Sequence, residues 1–477
     1  MKKPFIKLLK LPKKYFFYDV QTNNFVEINK NIYYYLEALL NDKLLPELEH
    51  DDEKIILDME NSGLLKTRKE IEIEHVMTNQ LDNILNNDLS KLCLQVTQNC
   101  NLRCDYCVFS GSCTGRVHNN KRMSWDIAKK AIDYLVAHSG KSREEVWIGF
   151  YGGEPLLEME LIKKCVTYSN KVLQNKKIIY NITTNGTLLT PDVIEFLISN
   201  HFIITISIDG PEKIHDINRR QINGNGSFRI IMKNLQNIIS IDPSFAFENI
   251  LINGVLTERA DLKTILDFYS GTELNHFSYQ ISSQNEANLK SKIEKRNKRN
   301  VETSKYEIFK MFLYGIGRIP IGMTSHFSES YVKLITENFY ERATGEMNSN
   351  KAHPGGPCVP GQHKLFVNVD GYFYPCERVN EISSIMKMGD VINGINVEAA
   401  KKILNIAKTT EEQCKKCWAF DFCTQCIAVA DGGDKISASK RMELCSEVRS
   451  DIEIMMKDYI VLCNYNCEFE KFKGFKI

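Results

Sequence analysis

No stretch of this sequence approaches the roughly 20 consecutive apolar residues that a helix needs to span a bilayer. A signal-peptide core is lacking too, because Lys7, Lys10, Lys13 and Lys14 interrupt every apolar run near the N-terminus. Net charge is almost absent. Sixty-one Lys and Arg face 60 Asp and Glu, for a formal charge of +1, so no global field favours nucleic acid or an anionic membrane surface. These absences predict a cytoplasmic chain with no nucleic-acid and no membrane partner, in a compartment where disulfide frameworks are rare. Cysteine, in contrast, is plentiful. Of 15 cysteines, twelve fall either at 100–107 or between Cys358 and Cys467, and clustered cysteines in a reducing compartment point to metal ligation.

At 477 residues the chain is expected to form two to three domains. Residues 1–80 read as a small winged-helix-like unit. Tyr15–Tyr18 and Phe25–Ile28 predict a β-hairpin turning at Asn23 and Asn24. Behind Asn29 as N-cap, Ile32, Tyr35, Leu36, Leu39 and Leu40 repeat at helical spacing, and a second helix is expected over Glu53–Met59. From residue 88 to 320, six short apolar strands alternate with amphipathic helices: Leu92–Val96, Val146–Tyr151, Ile178–Thr183, Ile203–Ile208, Ile250–Leu256 and Phe277–Ile281. That alternation predicts an α/β fold, a parallel barrel or partial barrel. Thr190 and Pro191 mark one helix start. The basic segment 285–300 reads as a solvated helix or linker. Residues 350–460 turn rich in Gly, Pro and Cys, as a small metal-held domain would be, and 461–477 reads as a C-terminal tail.

The strongest chemical signal is Cys100-Asn-Leu-Arg-Cys104-Asp-Tyr-Cys107, directly after the first barrel strand. Three thiolates on one loop can ligate three irons of a [4Fe–4S] cluster and leave the fourth iron open. Taken alone, the spacing also allows a zinc site or three unrelated thiols. Tyr151-Gly152-Gly153-Glu154-Pro155 follows the second strand, Thr184-Asn185-Gly186 the third, and Ser207-Ile-Asp209-Gly210-Pro211 ends the fourth. Such segments at successive strand C-termini occupy the face where barrel enzymes build active sites.

With Tyr106 before the last cysteine, these motifs resemble the radical S-adenosylmethionine (SAM) superfamily. That resemblance implies a partial (β/α)6 barrel with Cys100, Cys104 and Cys107 on the SAM-binding cluster. It implies cofactor contacts from Tyr106, Gly152, Gly153, Glu154, Thr184, Asn185, Ser207 and Asp209. Two glycines would let backbone approach the ligand, and Glu154 could accept from its ammonium. His215-Asp216-x-x-Arg219 with Gly226-Ser227-Phe228 is similar to the peptide-modifying branch, in which Arg219 could pair with the methionine carboxylate, with Arg220 as its adjacent competitor.

Farther on, Cys414-x2-Cys417-x5-Cys423-x2-Cys426 is flanked by Cys358, Cys376 and Cys445. Paired Cys-x2-Cys alone suggests a zinc ribbon as readily as iron–sulfur. With Gly371-Tyr-Phe-Tyr-Pro-Cys376 as a short hairpin, the region resembles the SPASM domain, an auxiliary-cluster extension of these enzymes. The resemblance implies Cys358, Cys376 and Cys426 on one cluster and Cys414, Cys417, Cys423 and Cys445 on another, for three [4Fe–4S] clusters in all. The two residues between Cys423 and Cys426, where the family has three, put that partition in doubt. Cys463 and Cys467 could fill the vacancy on the first cluster or be reduced thiols. Cys93 and Cys165 read as core residues, and Cys113 stays unassigned.

The N-terminal unit resembles the leader-peptide recognition element of peptide maturases, which adds a leader strand to a sheet edge. A DNA-binding winged helix is the structural rival, disfavoured by few basic residues after Lys14 and an acidic Glu47–Glu53 stretch. Together these resemblances imply a radical SAM enzyme that forms a thioether in a ribosomally made precursor peptide carrying a leader, fed by an external electron donor such as flavodoxin or ferredoxin. The alternatives are an anaerobic sulfatase-maturating enzyme, a carbon–carbon crosslinking enzyme and a non-catalytic, zinc-stabilised peptide-binding protein.

Overall fold

The computed structural model describes residues 2–110, 116–284, 297–344, 350–355, 357–362 and 364–475. Cys113 and most of the basic 285–300 segment lie outside them. The chain opens with an antiparallel meander of β1 (Ile6–Leu11), β2 (Lys14–Asp19) and β3 (Asn24–Ile28), turned through positive φ at Lys13 and Asn23. Strand alternation sends Ile6, Phe17 and Ile28 to one face and Leu9, Leu11, Phe16 and Tyr18 to the other. The first face is covered by helices Lys30–Leu40 and His50–Asn61. Asn29 caps the former, its side chain accepting from Ile32 N at 3.0 Å.

Strand β1 was not expected, because its lysines read as interruptions. Folding gives both of them partners. Lys7 pairs with Glu453 at 2.6 Å and lies over the Trp418 ring, while Lys10 reaches the Tyr34 hydroxyl at 3.2 Å. The aliphatic stems can then lie along apolar surface with the charge satisfied.

After the short β4 (Glu72–Ile73) come β5 (Lys91–Thr97), β6 (Leu102–Cys104), β7 (Glu145–Gly152), β8 (Lys177–Thr184), β9 (Ile203–Ser207), β10 (Arg219–Gln221), β11 (Ile250–Leu256) and β12 (Ser278–Ser283). β13 (Lys351–Ala352) pairs with β4, and β14 (Leu365–Val367) and β15 (Phe373–Tyr374) follow. The six expected strands are present, parallel and in chain order, within an eight-stranded sheet β12-β11-β9-β8-β7-β5-β14-β15. Leu92, Leu94, Ile148, Ile182, Ile204 and Ile252 are fully enclosed in its core, as are Cys165 and, nearly, Cys93. Helix Pro191–Ser199 begins as expected with Pro191 in the first turn, but the Thr190 side chain makes no capping hydrogen bond.

Two strands exceed the barrel expectation. β14 pairs in parallel with β5 through Leu365↔Leu92, and β15 folds back on β14 around Gly371 at φ 86°. The cysteine-rich region thereby covers the barrel's first edge strand, which would otherwise present unpaired backbone. Helix Cys445–Asn464 runs through residue 461, and Phe469 and Phe472 are buried beyond it, so the expected tail is packed chain. Among the described residues no helix is long and apolar enough to cross a membrane.

Candidate active site

β5 ends at Thr97, and the chain turns at once into the cysteine loop. Gly153 N donates to Thr97 O at 2.9 Å and Glu154 N to Asn99 O at 2.8 Å, binding the two strand-end loops together. A Cβ on Gly152 or Gly153 would sit 2.2 Å from Thr97 O or 2.1 Å from Asn99 O. The glycines therefore serve contact between loop backbones, a tighter constraint than the ligand approach read from sequence.

Within the loop, Cys100, Cys104, Tyr106 and Cys107 pack together with Leu102. Leu102 N donates to Cys100 Sγ at 3.3 Å, Asn185 Nδ2 to the same sulfur at 3.8 Å, and Phe109 N to Cys107 Sγ at 3.5 Å. Burial pushes the Cys100 and Cys104 thiols up to about 12. They carry protons until a metal displaces them, and N–H donors aimed at sulfur suit thiolate ligands of an iron–sulfur cluster. Among the described residues no three His, Cys, Asp or Glu side chains form a single-ion metal site.

Two buried carboxylates organise the surrounding loops. Glu154 accepts from Thr184 Oγ1 at 2.7 Å, Asn185 N at 2.8 Å and Leu156 N at 3.0 Å, and burial raises its carboxyl to about 7. Asp209 accepts from Tyr106 Oη at 2.6 Å, Arg219 Nε at 3.0 Å and Val255 N at 3.0 Å. A carboxylate has about four acceptor positions, so each is mostly committed to protein donors. Their direct effect is to hold the loops that carry Thr184, Asn185 and Arg219.

Arg219 faces the cysteine loop because β10 pairs with β6, Arg219 opposite Cys104. Its guanidinium lies 5.4 Å over the Tyr106 ring. The neighbouring motif is scaffold. His215 Nδ1 accepts from Asp209 N at 3.2 Å, its Nε2 meets Ser227 Oγ at 3.0 Å, and Asp216 accepts from the Ser227 and Phe228 amides. Arg220 instead bonds the Asp216 carbonyl and is exposed. Ser207 is buried at the end of β9, two residues before Asp209.

Residues 94–268 match the family model described as the radical SAM superfamily. An uncharacterised protein of Methanocaldococcus jannaschii is 32% identical over 221 residues, which are 46% of this chain and 73% of the relative. The chain belongs to the radical SAM superfamily. It is related to a cysteine-type anaerobic sulfatase-maturating enzyme of Clostridium novyi, 32% identical over 31% of this chain and 40% of the relative. It is also related to the radical SAM cyclopropyl synthase TigE of Paramaledivibacter caminithermalis, 26% identical over 47% and 51%. Both of these matches span little more than half of the relative's length or less. A solved structure described as native anSMEcpe with bound AdoMet superposes with a TM-score of 0.58 at 20% identity, covering 78% of this chain and 99% of that one. Members of the superfamily use SAM with a [4Fe–4S] cluster, and the donor pattern around Cys100, Cys104 and Cys107 fits such a group.

The radical SAM barrel is joined to the cysteine-rich region by a buried knot. Arg116 pairs with Glu381 at 2.9 Å and donates to the Glu377 and Val379 carbonyls, while Gln95 on β5 donates to Glu381 at 2.7 Å. In that region Cys376 and Cys426 act on each other electrostatically, and so do Cys414, Cys417 and Cys423. Cys445 receives a hydrogen bond from Gln425 at 3.7 Å, and Cys358 is exposed. Cys463 neighbours Cys467 and Tyr459.

Sequence reasoning missed Asn101, which accepts from Asn185 at 2.8 Å and donates to Thr187 at 2.8 Å. It also missed Arg103, whose Nη1 clamps the Cys100 and Leu102 carbonyls at 2.7 Å. Their position between the first two cysteines was the available signal. Arg116 had none.

Proposed function

We propose that this radical SAM enzyme is a peptide maturase that abstracts a hydrogen from a ribosomally made precursor and joins a cysteine sulfur to carbon as a thioether. The observation that carries this reading is the division of the C-terminal cysteines. Cys414, Cys417 and Cys423 neighbour one another, with Cys445 linked to them through Arg441, while Cys376 neighbours Cys426. The first set would complete one auxiliary cluster. Cys376 and Cys426, with Cys358, would leave a second cluster one ligand short, open to a substrate thiolate whose deprotonation the metal favours.

Bound at the cysteine loop, the cluster and SAM would supply a 5′-deoxyadenosyl radical able to abstract hydrogen from an unactivated carbon. The chain's own residues aim and enclose that chemistry. Cys100, Cys104 and Cys107 would ligate the loop cluster. Gly152, Gly153, Glu154, Thr184, Asn185, Ser207 and Asp209 would form the cofactor's cradle, Tyr106 its wall, and Arg219 would meet its carboxylate. The β1–β2–β3 sheet, with β1 and β3 as its margins, would accept a leader strand by edge addition. An external one-electron donor such as flavodoxin or ferredoxin completes the reaction.

The test is anaerobic reduction with SAM and a precursor peptide, following 5′-deoxyadenosine and peptide mass. Wild type is expected to form both products and Cys104→Ala neither. A core peptide with its cysteines replaced by alanine should go unmodified; equal processing of that peptide would sink the thioether assignment. The similarity to a cyclopropyl synthase favours a second reading, carbon–carbon bond formation. A cysteine-free peptide losing hydrogens to a new carbon–carbon bond would select it.

A further inference from the structure

Arg441, on the short helix Ala438–Glu443, is only 2% exposed. Its Nη1 donates to Cys414 Sγ at 3.5 Å and to Thr410 Oγ1, a hydroxyl that lies 3.3 Å from the same sulfur. The Arg441 carbonyl accepts from Cys445 Sγ at 3.8 Å, and its charge acts on Cys423. Its buried Nε has no hydrogen-bond partner among the described residues.

Two further arginines approach the same cysteines. Arg449, one turn into the helix that Cys445 begins, acts electrostatically on the Cys417 thiol, which burial raises and the guanidinium lowers. Arg68, sent in from the N-terminal unit, lies between the Phe5 and Phe420 rings at 4.5 and 4.7 Å. Its Nη1 reaches the Cys414 and Cys417 carbonyls at 3.5 and 3.4 Å.

Among the described residues none of the three has a carboxylate at ion-pair distance, although Asp421, which pairs with Arg342, also acts on Arg68 and partly balances its charge. In contrast, Arg116, Arg219 and Arg342 each have one: Glu381 at 2.9 Å, Asp209 at 3.0 Å and Asp421 at 3.0 Å. A buried guanidinium without an anion is strongly unfavourable, and among the described residues the acidic groups that Arg441 is shown to contact are the thiols of Cys414 and Cys445. Four thiolates around an iron–sulfur core supply the missing negative charge.

We propose that Arg441, supported by Arg449, is the counter-charge of a cluster held by Cys414, Cys417, Cys423 and Cys445, and makes it the highest-potential cluster of the chain. The proposal rests on the reading above that these four cysteines hold a cluster. Reduction adds negative charge, so uncompensated cations beside the sulfurs favour the reduced form, as do hydrogen bonds to them. The other two sites lack this excess. Arg219 beside Cys104 is neutralised by Asp209, and Lys364 near Cys376 is neutralised by Glu377, which it meets at 2.9 Å through both oxygens. An electron leaving a substrate radical would therefore come to rest at the arginine-ringed site.

The test is a potentiometric titration of the anaerobically reconstituted full-length protein, read by electron paramagnetic resonance, with iron and sulfide analysis. Wild type is compared with Arg441→Gln, Arg441→Lys and the double variant Cys414→Ala/Cys423→Ala, which identifies the signal of this site. That signal is expected to titrate at the highest potential in wild type. It should move to more negative potential in Arg441→Gln and stay near wild type in Arg441→Lys, the other signals being unmoved. Loss of this site's iron in Arg441→Gln with retention in Arg441→Lys would support the same charge dependence. An unmoved potential in an iron-replete Arg441→Gln, equal iron loss in both arginine variants, or a wild-type signal below the others would overturn it. If the cysteine double variant kept wild-type iron, the cluster assignment itself would fall and carry the proposal with it, a result iron analysis alone distinguishes.

Discussion

At the scale of single residues, close backbone contacts leave no room for a side chain where the strand-end loops meet. Gly153 has no room for a side chain, since a Cβ would meet Asn99 O at 2.1 Å. Gly153→Ala is expected to cost about 1–3 kcal/mol or more through forced backbone movement, and to cost the loop cluster its iron while sparing the C-terminal sites. Iron content and visible absorbance of the reconstituted variant check this. His215 gives a second test. It is fully buried, and burial lowers its imidazole to about 4 from an ordinary 6.5. The folded state therefore binds fewer protons than the unfolded state across that interval. His215 contributes stability that is present above pH 6.5 and lost as pH falls toward 4, in total roughly 3 kcal/mol. Urea denaturation at pH 7 and pH 5 should show that loss in wild type and a flatter profile in His215→Gln. An unchanged profile would mean that the imidazolium, which can no longer accept from Asp209 N, forms in the folded state without loss of stability.

At the scale of elements, the joint between the barrel and the cysteine-rich region carries a buried ion pair beside its sheet and core contacts. Arg116 and Glu381 have side chains 7% and 5% exposed, and Gln95 links the pair to β5 while its Oε1 accepts from Val369 N at 3.1 Å. Arg116→Met leaves a buried carboxylate without its cation and is expected to destabilise by roughly 3–5 kcal/mol. The double variant Arg116→Met/Glu381→Met should recover much of that loss, because apolar replacement of both partners removes the uncompensated charge. Thermal unfolding of the three proteins checks the ordering, and a double variant no better than the single one would argue against it. The six barrel strands were legible because buried parallel strands read as nearly continuous apolar runs. β14 and β15, three and two residues long, are too short to show such a run and pair through the edge that β5 offers.

At the scale of the molecule, the N-terminal unit is built into the rest. One face of its sheet, with Leu9, Phe16 and Tyr18, shares a core with Phe339, Phe422, Ile452 and Met455. Deleting residues 2–69 would expose that apolar surface and remove Arg68 from beside Cys414 and Cys417. The truncated protein is expected to aggregate or to melt several degrees lower. Light scattering and thermal unfolding would show this, and a monomer with unchanged melting would refute it. A cavity of about 610 Å3 lies at this seam, lined by Phe5, Leu64, Arg68, Phe420 and Asp421 among others.

The sequence by itself determined what local patterns encode. Apolar runs set the strands, Asn29 and Pro191 set helix starts, and the spacing of Cys100, Cys104 and Cys107 marked the loop that bears chemistry. Only the tertiary structure decided which charges meet. Lys7 finds Glu453, Arg116 finds Glu381, and Arg441 and Arg68 both reach Cys414 from opposite ends of the chain. Such pairings depend on distance in space, which chain separation does not predict. A buried charge is tolerable only where folding delivers its partner.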